Sequence, residues 1–325
     1  MSEVTFAQAI HDALSEEMAA DHRVVLFGED VAEYGGAFKV TKGLLAQFGP
    51  RRVINTPISE NSIVGLAVGA AMLGMRPVVE LMFMDFVTLA MDQIVNHAAK
   101  FHYVYGQDVH VPLVIRMPAG GGRCYGPTHS QSLEAWLMHV PGLRVVVPSI
   151  PRDAKGMLKS AIRCPDPVVF IEPKALYSLR GECCTAECSA DIEHACVVRE
   201  GNEVAILTYG RMVHTALAAA TEAEKLAIST MIVDLRSLAP LDVAAITAVA
   251  EKVGKVIVVE EDSKTMGAGA EIVSLIVETA FYSLSAPVSR VAARDVPIPC
   301  SKVLEDAVLP GVRDVVDAIV AISKL

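Results

Sequence analysis

No stretch of this 325-residue chain approaches the roughly 20 continuous apolar residues that a membrane-spanning helix needs, and Glu80 and Asp85 interrupt its most hydrophobic region. Positive charge is also scarce. The sequence holds 28 Lys and Arg against 38 Asp and Glu, a formal net charge of −10. Nucleic acid and anionic membranes both reward clustered cations, so neither is an expected partner. The opening residues, MSEVTFAQAIHDALSEEM, lack the basic flank and unbroken apolar core of an export signal. They read as a helix instead: Thr5 and Gln8 have capping-box spacing, and Phe6, Ile10, Ala13, Leu14 and Met18 recur at helical intervals. No Walker sequence, His-Glu-x2-His or G-x-S-x-G occurs, so the commonest phosphate-loop, zinc-protease and serine-hydrolase signatures are missing.

Seven cysteines is an odd number, and four of them (Cys183, Cys184, Cys188 and Cys196) crowd one segment. The spacing C-C-x3-C lacks the paired C-x2-C of common zinc sites. Free thiols in a reducing cytoplasm are the expected state.

What is present is an α/β alternation in a chain long enough for about two domains. VVLFGED (24–30), RPVVELMF (76–83), VPLVIRM (111–117), LRVVVPS (143–149) and PVVFIEP (167–173) read as strands. The stretches 86–100 and 153–163 read as helices. After Tyr177 the period weakens into a connector with room for an edge strand. The alternation then resumes with VAILTYG, TMIVDLR, KVIVVEE and SRVAA, separated by helices. Apolar strands spaced by helices predict two α/β domains, each a mainly parallel sheet with helices on both faces. The expected boundaries are 1–180, a linker over 181–197, and 198–325.

Three motifs carry the chemical question. In TPISEN, Glu60 opens a helix rich in Gly65, Gly69 and Gly74. A solvated helix start, with Ser59 as cap and the acid favoured by the positive helix end, is one reading. A buried acid serving a cofactor is the other. The glycines cost about 1 kcal/mol each against alanine, which calls for close approach by a neighbouring helix or a second subunit. The loop PAGGGRCYGPTHSQS (118–132) follows a strand, where ligands of parallel sheets bind, and places His129 there. MGAGAE (266–271) lacks the third glycine of a dinucleotide fingerprint, since Ile272 stands in its place.

In order along the chain, GED (28–30), TPISE, VGAAMLGMRPVVELMF, MDQIVNHAAK, THSQSLEAW, HVPGLRVVVPS, PVVFIE, IVDLRSLAPLD and LPGVRDVVDAI resemble the beta subunit of the thiamine-diphosphate-dependent first component of 2-oxo acid dehydrogenase complexes. That family has transketolase-like pyrimidine-binding and C-terminal domains, and the resemblance runs end to end. It implies that the alpha subunit of an α2β2 assembly holds the diphosphate and magnesium through a Gly-Asp-Gly motif absent from this sequence. It also implies that Glu60 contacts the pyrimidine ring nitrogen, that Glu29 and Phe86 help bind the cofactor, and that His129 assists acyl transfer to a lipoyl-bearing second component. Some members hold potassium, and the matching positions are Leu113, Ala161, Cys164 and Asp166. The family's usual Asp-x-Asn is replaced here by Cys164-Pro165-Asp166, which leaves binding to backbone oxygens.

The implied substrate is a 2-oxo acid, pyruvate first. Acetoin and branched-chain 2-oxo acids are the alternatives, and LMFMDF with the glycine loop resembles acetoin-type chains as much as pyruvate-type ones. Two rivals from other classes are a non-catalytic assembly scaffold and a stand-alone dinucleotide-binding protein. Glu60, Phe86 and His129 argue against the first, and the broken MGAGAE signature against the second.

Overall fold

The computed structural model describes residues 2–184 and 189–325. The chain divides into two compact units, Met1–Ala119 with Trp136–Ile192, and Gly120–Ala135 with Glu193–Leu325. The glycine loop expected in the first domain thus groups with the second unit.

In the first unit six parallel strands lie in the spatial order Arg144–Val146, Val168–Pro173, Val114–Ala119, Arg76–Glu80, Val24–Gly28 and Val53–Asn55. Strands covered on both faces need no polar alternation, and Val24–Gly28, Val114–Ala119 and Val168–Pro173 are buried at every position. One face packs on helices Phe6–Ala20 and Pro151–Arg163, which also pack on each other. The first helix begins as its sequence predicts: Thr5 Oγ1 accepts from the Gln8 amide at 3.1 Å, and the five apolar positions named above are all buried. Helix Glu60–Met72 lies against strand Arg76–Glu80 and segment Val87–Asp92.

One set of charges sits inside this apolar sheet. Arg116, wholly buried, grips Glu172 with Nε at 2.7 Å and Nη2 at 2.9 Å, and reaches Glu80 with Nη1 at 2.7 Å. Tyr177 donates to Glu172 Oε2 at 2.6 Å. Burial pushes the Glu80 carboxyl up despite the guanidinium beside it. Burial alone would lower the Arg116 pKa, but the two carboxylates outweigh it and hold that pKa above its ordinary value.

Three local expectations need correction. The stretch 86–100 is not one α-helix: a 3₁₀ turn Met84–Phe86 leads into α-helix Val87–Asp92 and then a π-helical segment Gln93–Ala98. Ser59 makes no capping bond, and its hydroxyl donates to Ser62 Oγ at 2.8 Å. Cys184 is disulfide-bonded, so the free-thiol expectation fails there. Cys124, Cys164, Cys183, Cys196 and Cys300 keep their thiols, and Cys188 lies outside the described residues.

The second unit holds a five-stranded sheet ordered Ser289–Ala293, Val256–Ser263, Val204–Thr208, Thr230–Asp234 and Cys196–Arg199. All neighbours are parallel except the last, an antiparallel edge strand drawn from the connector. Helices Met212–Glu224 and Val312–Ser323 bury Val213, Ala216, Ala220, Val315 and Ile319. Among the described residues, no helix is long and apolar enough to cross a membrane.

Candidate active site

The parallel strands of the first unit run in one direction, so the residues following them emerge at one edge of the sheet. Glu29 directly follows Val24–Gly28. Glu60 follows Val53–Asn55 across a short loop, and Phe86 closes the turn after Arg76–Glu80. The topology therefore brings all three expected cofactor-binding residues to the carboxyl edge. The Thr56 amide donates to the Gly28 carbonyl at 3.0 Å, tying the loop before Glu60 to the strand before Glu29.

Glu60 is the first residue of helix Glu60–Met72, yet it is only 5% exposed. With no cap from Ser59 and little water around the carboxylate, the solvated-cap reading does not describe it. Burial raises the Glu29 carboxyl above its ordinary range, and the nearby charges of Glu60 and then Asp30 add to the shift. Among the described residues, Glu29 Oε1 and Thr56 Oγ1 are buried with no hydrogen-bond partner. Phe86 is half-buried, with its ring edge-on to Phe83 at 5.9 Å between centroids. Buried acids, unsatisfied polar atoms and a phenyl face at one sheet edge fit a flat heterocycle that offers ring nitrogens. Thr56 had no sequence signal beyond its place beside the acid.

The helix glycines have separate explanations. A Cβ at Gly65 would meet Gln93 Oε1 at 3.1 Å, so the π-helical segment makes the close approach there. Nothing described lies within 4 Å of such an atom at Gly69.

The potassium positions all fall in the first unit. Leu113 O accepts from the Val168 amide at 2.8 Å, Ala161 O from Cys164 N at 3.2 Å, and Asp166 pairs with Arg144 at 3.0 Å. Arg76 Nη1 donates to Ile162 O at 2.8 Å and Cys164 O at 3.3 Å. A guanidinium thus already supplies positive charge at the Cys164 carbonyl.

In the second unit His129 is half-buried, and Thr128 Oγ1 lies 3.0 Å from its Nδ1, which orients the ring. The loop ends at Glu134, buried beside the strand residue Asp262. Burial drives the Glu134 carboxyl well above its usual range, and Asp262 adds to the shift. Burial likewise lifts Asp262 to about 7. An unfolded Asp titrates near ~3.9, so the folded state binds the extra proton between roughly pH 4 and 7. Stability therefore falls as pH rises through that window. Asp262→Asn should flatten this slope, raising the melting temperature at pH 8 by a few degrees with no gain at pH 4; thermal melts across that range check it.

The MGAGAE glycines also serve this unit. Gly269 N donates to Glu260 Oε2 at 2.7 Å, and a Cβ at Gly269 would lie 2.5 Å from Glu260 Oε1. Glu260 is paired with Arg290 at 2.6 Å. The protein's own carboxylate fills the helix start that a dinucleotide phosphate would need.

Comparison with known proteins supplies the family. Residues 2–180 match the transketolase pyrimidine-binding domain and residues 193–315 the transketolase C-terminal domain. The pyruvate dehydrogenase E1 component subunit beta-2, mitochondrial, of Oryza sativa subsp. japonica is 46% identical over 97% of this chain and 85% of its own. The chain belongs to the E1 beta-subunit family of 2-oxo acid dehydrogenases. The pyruvate dehydrogenase E1 component subunit beta of Chaetosphaeridium globosum is 44% identical over the whole of both chains. The 2-oxoisovalerate dehydrogenase subunit beta of Bacillus subtilis (strain 168) is 46% identical over 91% of each. A solved structure, "Split gene transketolase, inactive beta4 tetramer", shares the fold with a TM-score of 0.81 over 99% of each chain, at 23% identity.

Proposed function

We propose that this chain is the beta subunit of a thiamine-diphosphate-dependent 2-oxo acid dehydrogenase. With an alpha subunit it decarboxylates a 2-oxo acid, pyruvate first among them, and passes the acyl group to the lipoyl group of a second component. The observation that carries the reading is Glu60: a carboxyl 5% exposed at a helix start, on the sheet edge it shares with Glu29 and Phe86. Thiamine diphosphate, when bound, supplies an electron sink that lets the 2-oxo acid lose carbon dioxide.

Each residue then has a task. Glu60 would hydrogen-bond the pyrimidine ring nitrogen and hold or move a proton at that atom. Glu29, already pushed toward its neutral form, adds a hydrogen-bonding carboxyl at low electrostatic cost. Phe86 lays an apolar face beside the ring. His129, with Thr128 Oγ1 beside its Nδ1, would stabilise charge developing during acyl transfer.

A partner subunit is favoured by Ile58, 84% exposed only two residues before Glu60, and by Leu73, 88% exposed at the end of the same helix. Magnesium would fall to that partner, in an α2β2 assembly. The reading does not extend to potassium, because an ion at Cys164 O would compete with the Arg76 guanidinium.

Co-expression with an alpha subunit, followed by dye-linked assays on pyruvate, branched-chain 2-oxo acids and acetoin, tests the reading. Turnover of pyruvate above the others is expected; preference for acetoin would move the chain to that neighbouring activity. His129→Ala should retain cofactor binding and slow lipoyl acylation by about 10²-fold or more. Rapid-quench measurement with a lipoyl domain checks this, and an unchanged rate would remove the histidine from the mechanism.

A further inference from the structure

The glycine loop is held in a way that the motif alone does not explain. Gly120, Gly122, Cys124 and Gly126 all have positive φ, at +80°, +85°, +60° and +81°. Alternating left-handed residues turn successive amides toward one side and make a backbone nest for an anion. A carboxylate of the same unit occupies it. Glu305, wholly buried on helix Lys302–Val308, accepts from Gly122 N at 2.9 Å through Oε1. Both its oxygens accept from Cys124 N at 3.1 Å, and the Cys124 thiol donates to Oε2 at 3.3 Å. Next to it, Glu261 Oε1 accepts from Gly121 N at 2.5 Å, while Glu261 Oε2 accepts from Arg211 at 2.8 Å.

The glycines are what let these carboxylates in. A Cβ at Gly120 would stand 2.8 Å from Glu261 Oε1, and one at Gly121 would stand 2.6 Å from Leu309 Cδ1. The loop is closed at its base, where Gly120 N donates to Gln131 O at 3.0 Å. His129 sits inside that closure, and its amide donates to Gly126 O at 3.3 Å. The ring's backbone is therefore suspended between the base bond and the nest.

We propose that Glu305 is a positioning residue for His129: its carboxylate, filling the 122–124 nest, sets the height and orientation of the histidine for acyl transfer. This rests on the functional reading of His129 given above. Glu305 touches no reacting atom. Losing it leaves the Gly122 and Cys124 amides without their charged acceptor, and the loop gains conformations in which His129 is misplaced.

The test uses the enzyme reconstituted with its alpha subunit, carrying Glu305→Ala, Glu305→Gln or His129→Ala. Amide hydrogen exchange at 120–131 is read by mass spectrometry, and kcat and KM for a lipoyl domain are measured beside it. Glu305→Ala should speed exchange at residues 122 and 124 by on the order of tenfold and lower kcat for acylation by a similar factor, with KM for the lipoyl domain kept. Glu305→Gln retains one carbonyl acceptor and should recover part of both effects; it also serves if the alanine variant does not fold. Wild-type exchange in the loop of either variant overturns the proposal. So does faster exchange with undiminished acylation, which would leave Glu305 a purely structural anchor. His129→Ala separates the possible failures. If it is slow while Glu305→Ala is fast, only the positioning role falls; if it acylates like wild type, the histidine's role falls and the positioning role with it.

Discussion

Glu60→Gln should assemble normally with the alpha subunit and yet lose activity by about 10²- to 10⁴-fold, the scale at which a positioned proton donor or acceptor contributes. The amide has the size of the acid and suits the same helix start, so packing around Ile63 and Val64 is retained. What disappears, on the proposed reading, is a group able to hold and return a proton at the pyrimidine nitrogen. Steady-state decarboxylation with a dye acceptor, together with proton exchange at the reactive carbon of bound cofactor, measures it. Wild-type exchange in the variant would show that this carboxyl takes no part in activating the cofactor. Size-exclusion and calorimetric controls on the same sample separate this outcome from failed assembly.

Arg116→Met should produce the largest loss of stability, about 3–5 kcal/mol, because it leaves two buried carboxylates without their counter-charge. At about 2–4 °C per kcal/mol for a unit of this size, the melting temperature should drop by roughly 10 °C. The deficit should depend on pH. Burial already raises Glu80, and removing the guanidinium raises it further, so the folded variant takes up a proton that the unfolded chain releases at lower pH. Stability of the variant then declines as pH rises above the ordinary carboxylate range. Melts at pH 5 and pH 8 should show the smaller deficit at pH 5; an equal loss at both would show that packing, not charge, is what Arg116 provides. Glu80→Gln in the same chain should restore part of it.

These two residues mark how far the sequence could be read. Strands such as Val24–Gly28 and Val204–Thr208 were legible because continuous apolar runs between helical patterns admit few other structures. Thr5 with Gln8 announced the first helix because capping is local. Glu29, Glu60 and Phe86 were singled out by the family resemblance, and their places after three strands of one sheet became visible only in the fold. Where bonding is long-range, the signal vanished. Arg116 and Glu172 are the single charges of two apolar strands, and Glu80 ends a third that opens on Arg76; nothing in their spacing shows that they face one another. Glu261 and Glu305 lie 140 and 183 residues from the amides they bind, and no spacing rule reaches that far. The change from α to π bonding at Gln93 was also hidden, since the two patterns draw on nearly the same apolar positions.

The membership of residues 120–135 in the second unit bears on how such chains can be recombined. A chimera cut at the boundary between the family domains, near residue 190, would carry the loop from one parent and the acids at 261 and 305 from the other. Whether the hybrid works would then turn on a match the cut itself ignores: donor amides from one ancestor meeting acceptor oxygens from another. Exchanging 120–135 together with the C-terminal half keeps both from one lineage, so that segment and the distant acids form a single heritable part.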